Sequence, residues 1–174
     1  TFRKWFYSKE NGTSEPVKDW QTVLFLCTGN FYRSRYAEAW FNYHAPRSGL
    51  HWRAASRGFR PHLSEVSLSS HACERLGEHS IPRSFTRRVP TRLSATDLTE
   101  ASLVIAMLES EHRPMIRGQF PRWEDRVRYW NIHDIDSESP HFALPLIEAE
   151  VEKLIGQLLA GHALGAGQDV MIEF

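Results

Sequence analysis

Cysteine is scarce in this chain: Cys27 and Cys73 are the two among 174 residues, too few for the disulfide frameworks that hold small secreted domains together. A structural disulfide is not expected, and a reactive free thiol survives best in a reducing compartment, so the expected location is cytoplasmic. Net charge is lacking as well. Lys and Arg number 21, and so do Asp and Glu, which removes any bulk electrostatic argument for nucleic acid or an anionic membrane as partner. An anion preference must therefore be local. No apolar run approaches the roughly 20 residues of a membrane-spanning helix, no secretory signal pattern opens the chain, and no repeat or low-complexity tract appears. Nothing in the residue pattern calls for a metal or an organic cofactor.

What is present suffices for one sizeable core, at 41% hydrophobic and 12% aromatic, and a length of this order is most simply one domain. The expected organisation is an N-terminal extension over residues 1–20, a folded domain over 21–160 and a tail over 161–174. The extension is polar apart from Trp5, Phe6 and Tyr7. Its Asn11-Gly12-Thr13 matches a glycosylation acceptor, which a reducing location makes moot. The tail carries three glycines followed by Val170, Met171 and Ile172, a flexible leader to an added strand or partner-binding segment.

Between these ends, strand and helix signals alternate. Val23 to Leu26 is a buried strand by length and composition, and Ala37, Trp40, Phe41 and His44 share a helical face that Pro46 should stop. Trp52 to Ser56 reads as a second strand. Ser67 to His79 reads as a helix with Cys73 on its packed face, and Ser94 to Asp97 as a helix start. Leu103 to Met107 is a central strand, Glu109 to Arg117 a helix interrupted near Pro114, and Val127 to Ile132 a fourth strand. Ile147, Val151, Leu154, Ile155 and Leu158 then form an apolar stripe on a final helix. Such alternation predicts an α/β fold: a single three-layer domain whose central, parallel, roughly four-stranded sheet is flanked by helices, with ligands bound beyond the carboxyl ends of the strands.

The densest signal sits at the first of those ends. Cys27-Thr28-Gly29-Asn30-Phe31-Tyr32-Arg33-Ser34 joins the first strand to the first helix, where the backbone N–H groups of a tight turn and the open N–H groups of a helix start make a concave anion site. A dianionic phosphoryl group fits that site. Such donors favour thiolate over thiol, which makes Cys27 an attacking group. Arg33 can curl back and grip two phosphoryl oxygens with its planar fork, as Lys cannot. Ser34 stands where a helix cap is wanted, and its hydroxyl is placed to donate to the Cys27 sulfur. Gly29 and Asn30 are the types that best tolerate the left-handed backbone such a loop needs. A lone Cys at a strand end is ordinarily core, but Cys, Gly, Asn, Arg and Ser at these offsets would arise by chance in roughly 1 in 10,000 chains of this length.

With Cys-Thr-Gly-Asn-x-x-Arg-Ser near its start, the chain resembles the low-molecular-weight protein tyrosine phosphatases, whose loop is Cys-x-Gly-Asn-x-Cys-Arg-Ser. The resemblance spans roughly Thr22 to Leu159, through Ala54-Ala55-Ser56-Arg57-Gly58-Phe59, the strand ending at Met107, and Trp130-Asn131-Ile132-His133-Asp134. It implies a cysteine-dependent phosphatase in which Cys27 takes the phosphoryl group, Thr28 to Tyr32 and Ser34 cradle it, Arg33 binds it, and an aspartic acid protonates the leaving oxygen before water hydrolyses the phosphocysteine. The family's acid lies in an Asp-Pro step. Here Asp134-Ile135-Asp136 stands at that place, and the apolar-x-Asp spacing favours Asp134 over Asp136. Phe31 from the loop and Phe59, which aligns with an aromatic position flanking the family's substrate ring, would wall a phosphotyrosyl group. Relatives acting on phosphoarginine have a small Thr where Phe31 stands. The implied partners are a phosphotyrosine protein or small aryl phosphate, and phosphate or another oxyanion in the loop.

Departures from that pattern are informative. Tyr32 replaces the second loop cysteine, so the disulfide that shields the nucleophile in many members cannot form, and Cys27 is open to overoxidation or to a mixed disulfide. Leu108 replaces the Asp that usually follows Met107. The paired tyrosines of animal members are absent. Two alternatives stay open: an arsenate reductase of the same fold, which lacks here the late cysteine pair and would need an external thiol, and a phosphate-dependent binding protein that has lost turnover.

Overall fold

In a computed structural model, the structure describes residues 20–62, 67–86 and 89–166. The expectations for residues 1–19 and 167–174 fall outside them.

Val23 to Leu26 form the centre of the first strand, β1 (Gln21–Cys27), where an unbroken run of apolar residues is buried on both faces; that is the signature of an interior parallel strand. It pairs with β2 (Trp52–Gly58) on one side and β3 (Leu103–Ala106) on the other, and β4 (Arg128–Tyr129) adds to β3, so the sheet order is β2-β1-β3-β4 with every ladder parallel. Because side chains alternate along a strand, Val23 and Phe25 point into one core with Ile105 and Met107, while Leu24 and Leu26 point into another with Val104 and Ala106.

Helices cover both faces. The first core receives α1 (Arg33–Arg47), α2 (Ser70–Glu78) and α5 (Pro140–Ala166), through residues such as Tyr36, Phe41, Leu76, Ile147, Val151 and Leu154. The second receives α3 (Ala95–Glu100) and α4 (Glu109–Gln119), through Leu98 and Ile116. The result is the three-layer α/β arrangement expected from the alternation of signals.

Local departures have local causes. Pro46 lies inside α1, which ends one residue later, and Pro114 is accommodated within α4, where Ser110, the residue whose carbonyl loses its helical donor, is exposed to water. The fourth strand is two residues long rather than six. Beyond it the chain continues as single bonds, Trp130 N–H to the Ala106 carbonyl and Ile132 N–H to that of Met107, with an antiparallel bridge between Leu108 and Asn131. Cys73 is half-buried at the margin of the first core, its thiol directed at the Leu68 carbonyl. Among the described residues no helix is long and apolar enough to cross a membrane.

Candidate active site

Cys27 ends β1 and Arg33 begins α1, leaving Thr28 to Tyr32 to turn the chain. The left-handed residue in that turn is Asn30, with φ of 51°; Gly29 does not take a positive φ, and a Cβ there would meet nothing closer than 3.8 Å. Asn30 is fully buried and holds the loop through its backbone N–H and both polar atoms of its side chain. Its backbone N–H points at Cys27 Sγ at 3.2 Å, its Nδ2 donates to Ser34 Oγ at 3.0 Å and to Ser56 Oγ at 2.9 Å, and its Oδ1 accepts from the Thr91 N–H. Ser56 in turn donates to Glu38 Oε2. With Ser34 Oγ already accepting from Asn30, its own proton is free for Cys27 Sγ, 2.9 Å away. Ser34 is thus a helical residue facing the sulfur rather than a cap; the cap position is Tyr32, whose side chain makes no capping bond.

Arg33 is wholly buried, so its charge requires partners. Nη1 donates to Glu111 Oε2 at 2.9 Å and to the Ile132 carbonyl at 3.1 Å; Nη2 donates to Glu111 Oε1 at 3.1 Å and to Asp134 Oδ2 at 2.7 Å. Nε, also buried, has no partner. Burial by itself would push the Glu111 carboxyl up, but hydrogen bonds from His112, Arg33 and Thr28 outweigh it and hold the group far below the usual carboxylate range. His112 is fully buried; its Nδ1 accepts from the Leu108 N–H at 2.9 Å, which leaves the Nε2 proton for Glu111 Oε1 at 3.5 Å and Thr28 Oγ1 at 3.4 Å. Asp134, about a third exposed, is further held by the Ile135 N–H on Oδ1.

These groups open into one cleft of about 300 Å³, lined by Cys27, Thr28, Gly29, Phe31, Tyr32 and Arg33 on the loop side, by Arg60, His62 and Ser69, and by Asp134, Ile135 and Asp136. Both aspartates of the late loop reach the cleft, and Asp134 is the one bonded to Arg33. Phe31 stands at its wall. Phe59 does not. Its ring is 0% exposed and belongs to the second core, stacked on His112 with centroids 5.6 Å apart. Strand alternation gives the reason: Phe59 shares a face with Arg57, which pairs with Asp97 of α3, whereas Cys27 shares a face with Phe25 on the α1 side. Tyr32 is buried with its hydroxyl unpartnered, and desolvation together with the charge of Asp134 drives that hydroxyl strongly toward its neutral form. Glu111, His112, Arg60 and His62 were not singled out from sequence. The available signal was a carboxylate one helical turn beyond Leu108, the position where the expected one is missing.

The model of the low molecular weight phosphotyrosine protein phosphatases matches residues 22–159. The chain belongs to that family. Among curated relatives it is 35% identical over 105 residues to a protein-arginine-phosphatase of Bacillus subtilis, covering 60% of this chain and 67% of that one, and 29% identical over 123 residues to an arsenate reductase of Bacillus anthracis, covering 70% and 83%. A low molecular weight protein tyrosine phosphatase from Bacillus subtilis, solved in solution, superposes with a TM-score of 0.68 at 28% identity, over 80% of this chain and 98% of that one. As a member of this family the protein is a phosphatase of the cysteine-dependent hydrolase type.

Proposed function

We propose that the protein hydrolyses phosphomonoesters, protein phosphotyrosine foremost, through a phosphocysteine on Cys27. The observation that supports this most is the convergence of three groups on one cleft: a sulfur held by the Asn30 N–H and the Ser34 hydroxyl, a buried guanidinium with Nε unpaired, and the Asp134 carboxyl on its Nη2. A phosphoryl group entering the loop as its monoanion takes Nε and displaces Asp134 from Nη2; the freed carboxylate takes the phosphoryl proton and turns to the leaving oxygen. The Cys27 thiolate then attacks phosphorus, the bond from phosphorus to the ester oxygen breaks, and the Asp134 acid gives its proton to that oxygen. In the second step the Asp134 carboxylate takes a proton from water, the oxygen attacks phosphorus, and the bond to sulfur breaks, returning thiolate and phosphate.

Phe31 on the cleft wall favours an aromatic ester. The protein-arginine-phosphatase relative keeps phosphoarginine as a substrate to be tried, and its acceptance in place of phosphotyrosine would reassign the specificity. An arsenate reductase reading has weaker support, because Cys73, the other cysteine of the chain, is not among the residues lining the cleft.

The deciding experiment compares wild type, Cys27→Ser and Asp134→Asn on p-nitrophenyl phosphate, a phosphotyrosyl peptide and a phosphoarginyl peptide. Cys27→Ser is expected to abolish turnover while still binding phosphate, and Asp134→Asn to lower kcat by about 100-fold or more. Turnover persisting in Cys27→Ser rules the mechanism out. If Asp136→Asn is the damaging change instead, the acid is Asp136.

A further inference from the structure

The guanidinium of Arg33 has two edges capable of a paired grip, the end edge of Nη1 and Nη2 and the side edge of Nε and Nη2. Glu111 takes the end edge with both oxygens, at 2.9 and 3.1 Å, and the Ile132 carbonyl takes the remaining proton of Nη1. The side edge is what remains: Nε is unpartnered, and the second proton of Nη2 is on Asp134, which with Arg33 lines the cleft.

Besides Arg33, two side chains hold Glu111. Thr28, part of the loop that cradles the anion, donates its hydroxyl to Oε1; His112 approaches the same oxygen at 3.5 Å; and His112 is locked by the Leu108 N–H and by the stacked ring of Phe59. A carboxylate this far below its usual proton affinity stays charged throughout the ordinary working range.

We propose that Glu111 is the positioning residue of this site: it fixes Arg33 by its end edge so that the side edge faces the incoming phosphoryl group. Through Thr28 the same carboxylate ties the arginine to the loop, so cradle and fork keep one register. Phe59, which does not wall the cleft, buttresses His112 from behind. This inference rests on the reading of the cleft as a phosphoryl site.

The test measures inorganic phosphate binding by calorimetry, which needs no turnover, beside KM and kcat on p-nitrophenyl phosphate and the thermal unfolding midpoint, for wild type, Glu111→Gln, Glu111→Ala and Thr28→Val. Glu111→Gln keeps shape but offers one acceptor to two N–H groups, and it is expected to weaken phosphate binding by about tenfold or more, with kcat/KM falling in step. Thr28→Val should weaken it less, by about threefold. A folded Glu111→Gln protein that binds phosphate as wild type does overturns the clamp, even if its unfolding midpoint has dropped. If Glu111→Ala does not fold, Glu111→Gln and Thr28→Val decide by the same criterion. Wild type that binds phosphate but turns over no aryl phosphate refutes the proposed function and leaves the clamp to be judged on the ratio of affinities.

Discussion

At the scale of single residues, the loop rests on buried side chains, with Asn30, Arg33 and Ser34 all inaccessible to solvent. Gly58 shows how tight the supports are: it pairs in register with Cys27, and a Cβ there would lie 2.9 Å from Asn30 Cβ and 2.9 Å from the Thr28 carbonyl oxygen. Both contacts are on the loop itself, so Gly58→Ala is expected to shift the cradle and lower kcat/KM by about tenfold or more, a loss that steady-state kinetics on p-nitrophenyl phosphate would detect. Tyr32 gives the opposite expectation. Its buried hydroxyl has no partner, and an unsatisfied buried donor costs about 1–3 kcal/mol, so Tyr32→Phe should leave kcat intact and raise the unfolding midpoint. A lower midpoint would mean that the hydroxyl is bonded in solution. The loop residues Cys27 to Ser34 were legible from sequence because they are contiguous and their chemistry is local. Glu111 was not, lying 78 residues from the arginine it holds.

Among elements, α3 illustrates how little chain can suffice to hold a layer. It has six residues, but Ser94 and Asp97 form a reciprocal capping box, and Asp97 also pairs with Arg57 of β2 at 2.8 Å. Losing such a cap costs about 1 kcal/mol, so Ser94→Ala should lower the unfolding midpoint by about 2–4 °C in a chain of this size. An unchanged midpoint would mean the 3.2 Å bond is not formed in solution. This helix start was readable from its sequence, as were β1, β3 and the α5 stripe, because caps and periodic apolar residues are properties of short segments. The length of β4 was not readable. An apolar segment pairs only as far as a neighbour offers a ladder, and β3 stops at Ala106.

Across the whole molecule, one buried carboxylate joins three helices. Glu148 of α5 accepts from Tyr36 of α1 at 2.7 Å and from Arg75 of α2 at 2.8 and 3.0 Å. Burial raises its proton affinity, but the bonds from Arg75 and Tyr36 prevail and lower its titration below the ordinary value near 4.5. A carboxyl with a depressed folded-state titration stabilises the fold fully above that ordinary value and loses the contribution as pH falls below it. The unfolding midpoint should therefore hold from pH 7 to about 5 and decline below 4.5, and Glu148→Gln should lower the plateau while flattening the decline; an equal acid slope in the variant would assign it to other carboxylates. Glu111 adds to the same decline with the same sign. By itself the sequence determined the contiguous turn from Cys27 to Ser34 between the first strand and the first helix, and the alternation of layers, since each is encoded in a few consecutive residues whose backbone geometry follows from their own chemistry. Only the tertiary structure decided which carboxylates meet Arg33 and that Phe59 is buried in the second core rather than on the cleft wall. Those outcomes depend on β3 lying beside β1, and on which face of the sheet each strand end presents, and both are set by packing between distant segments.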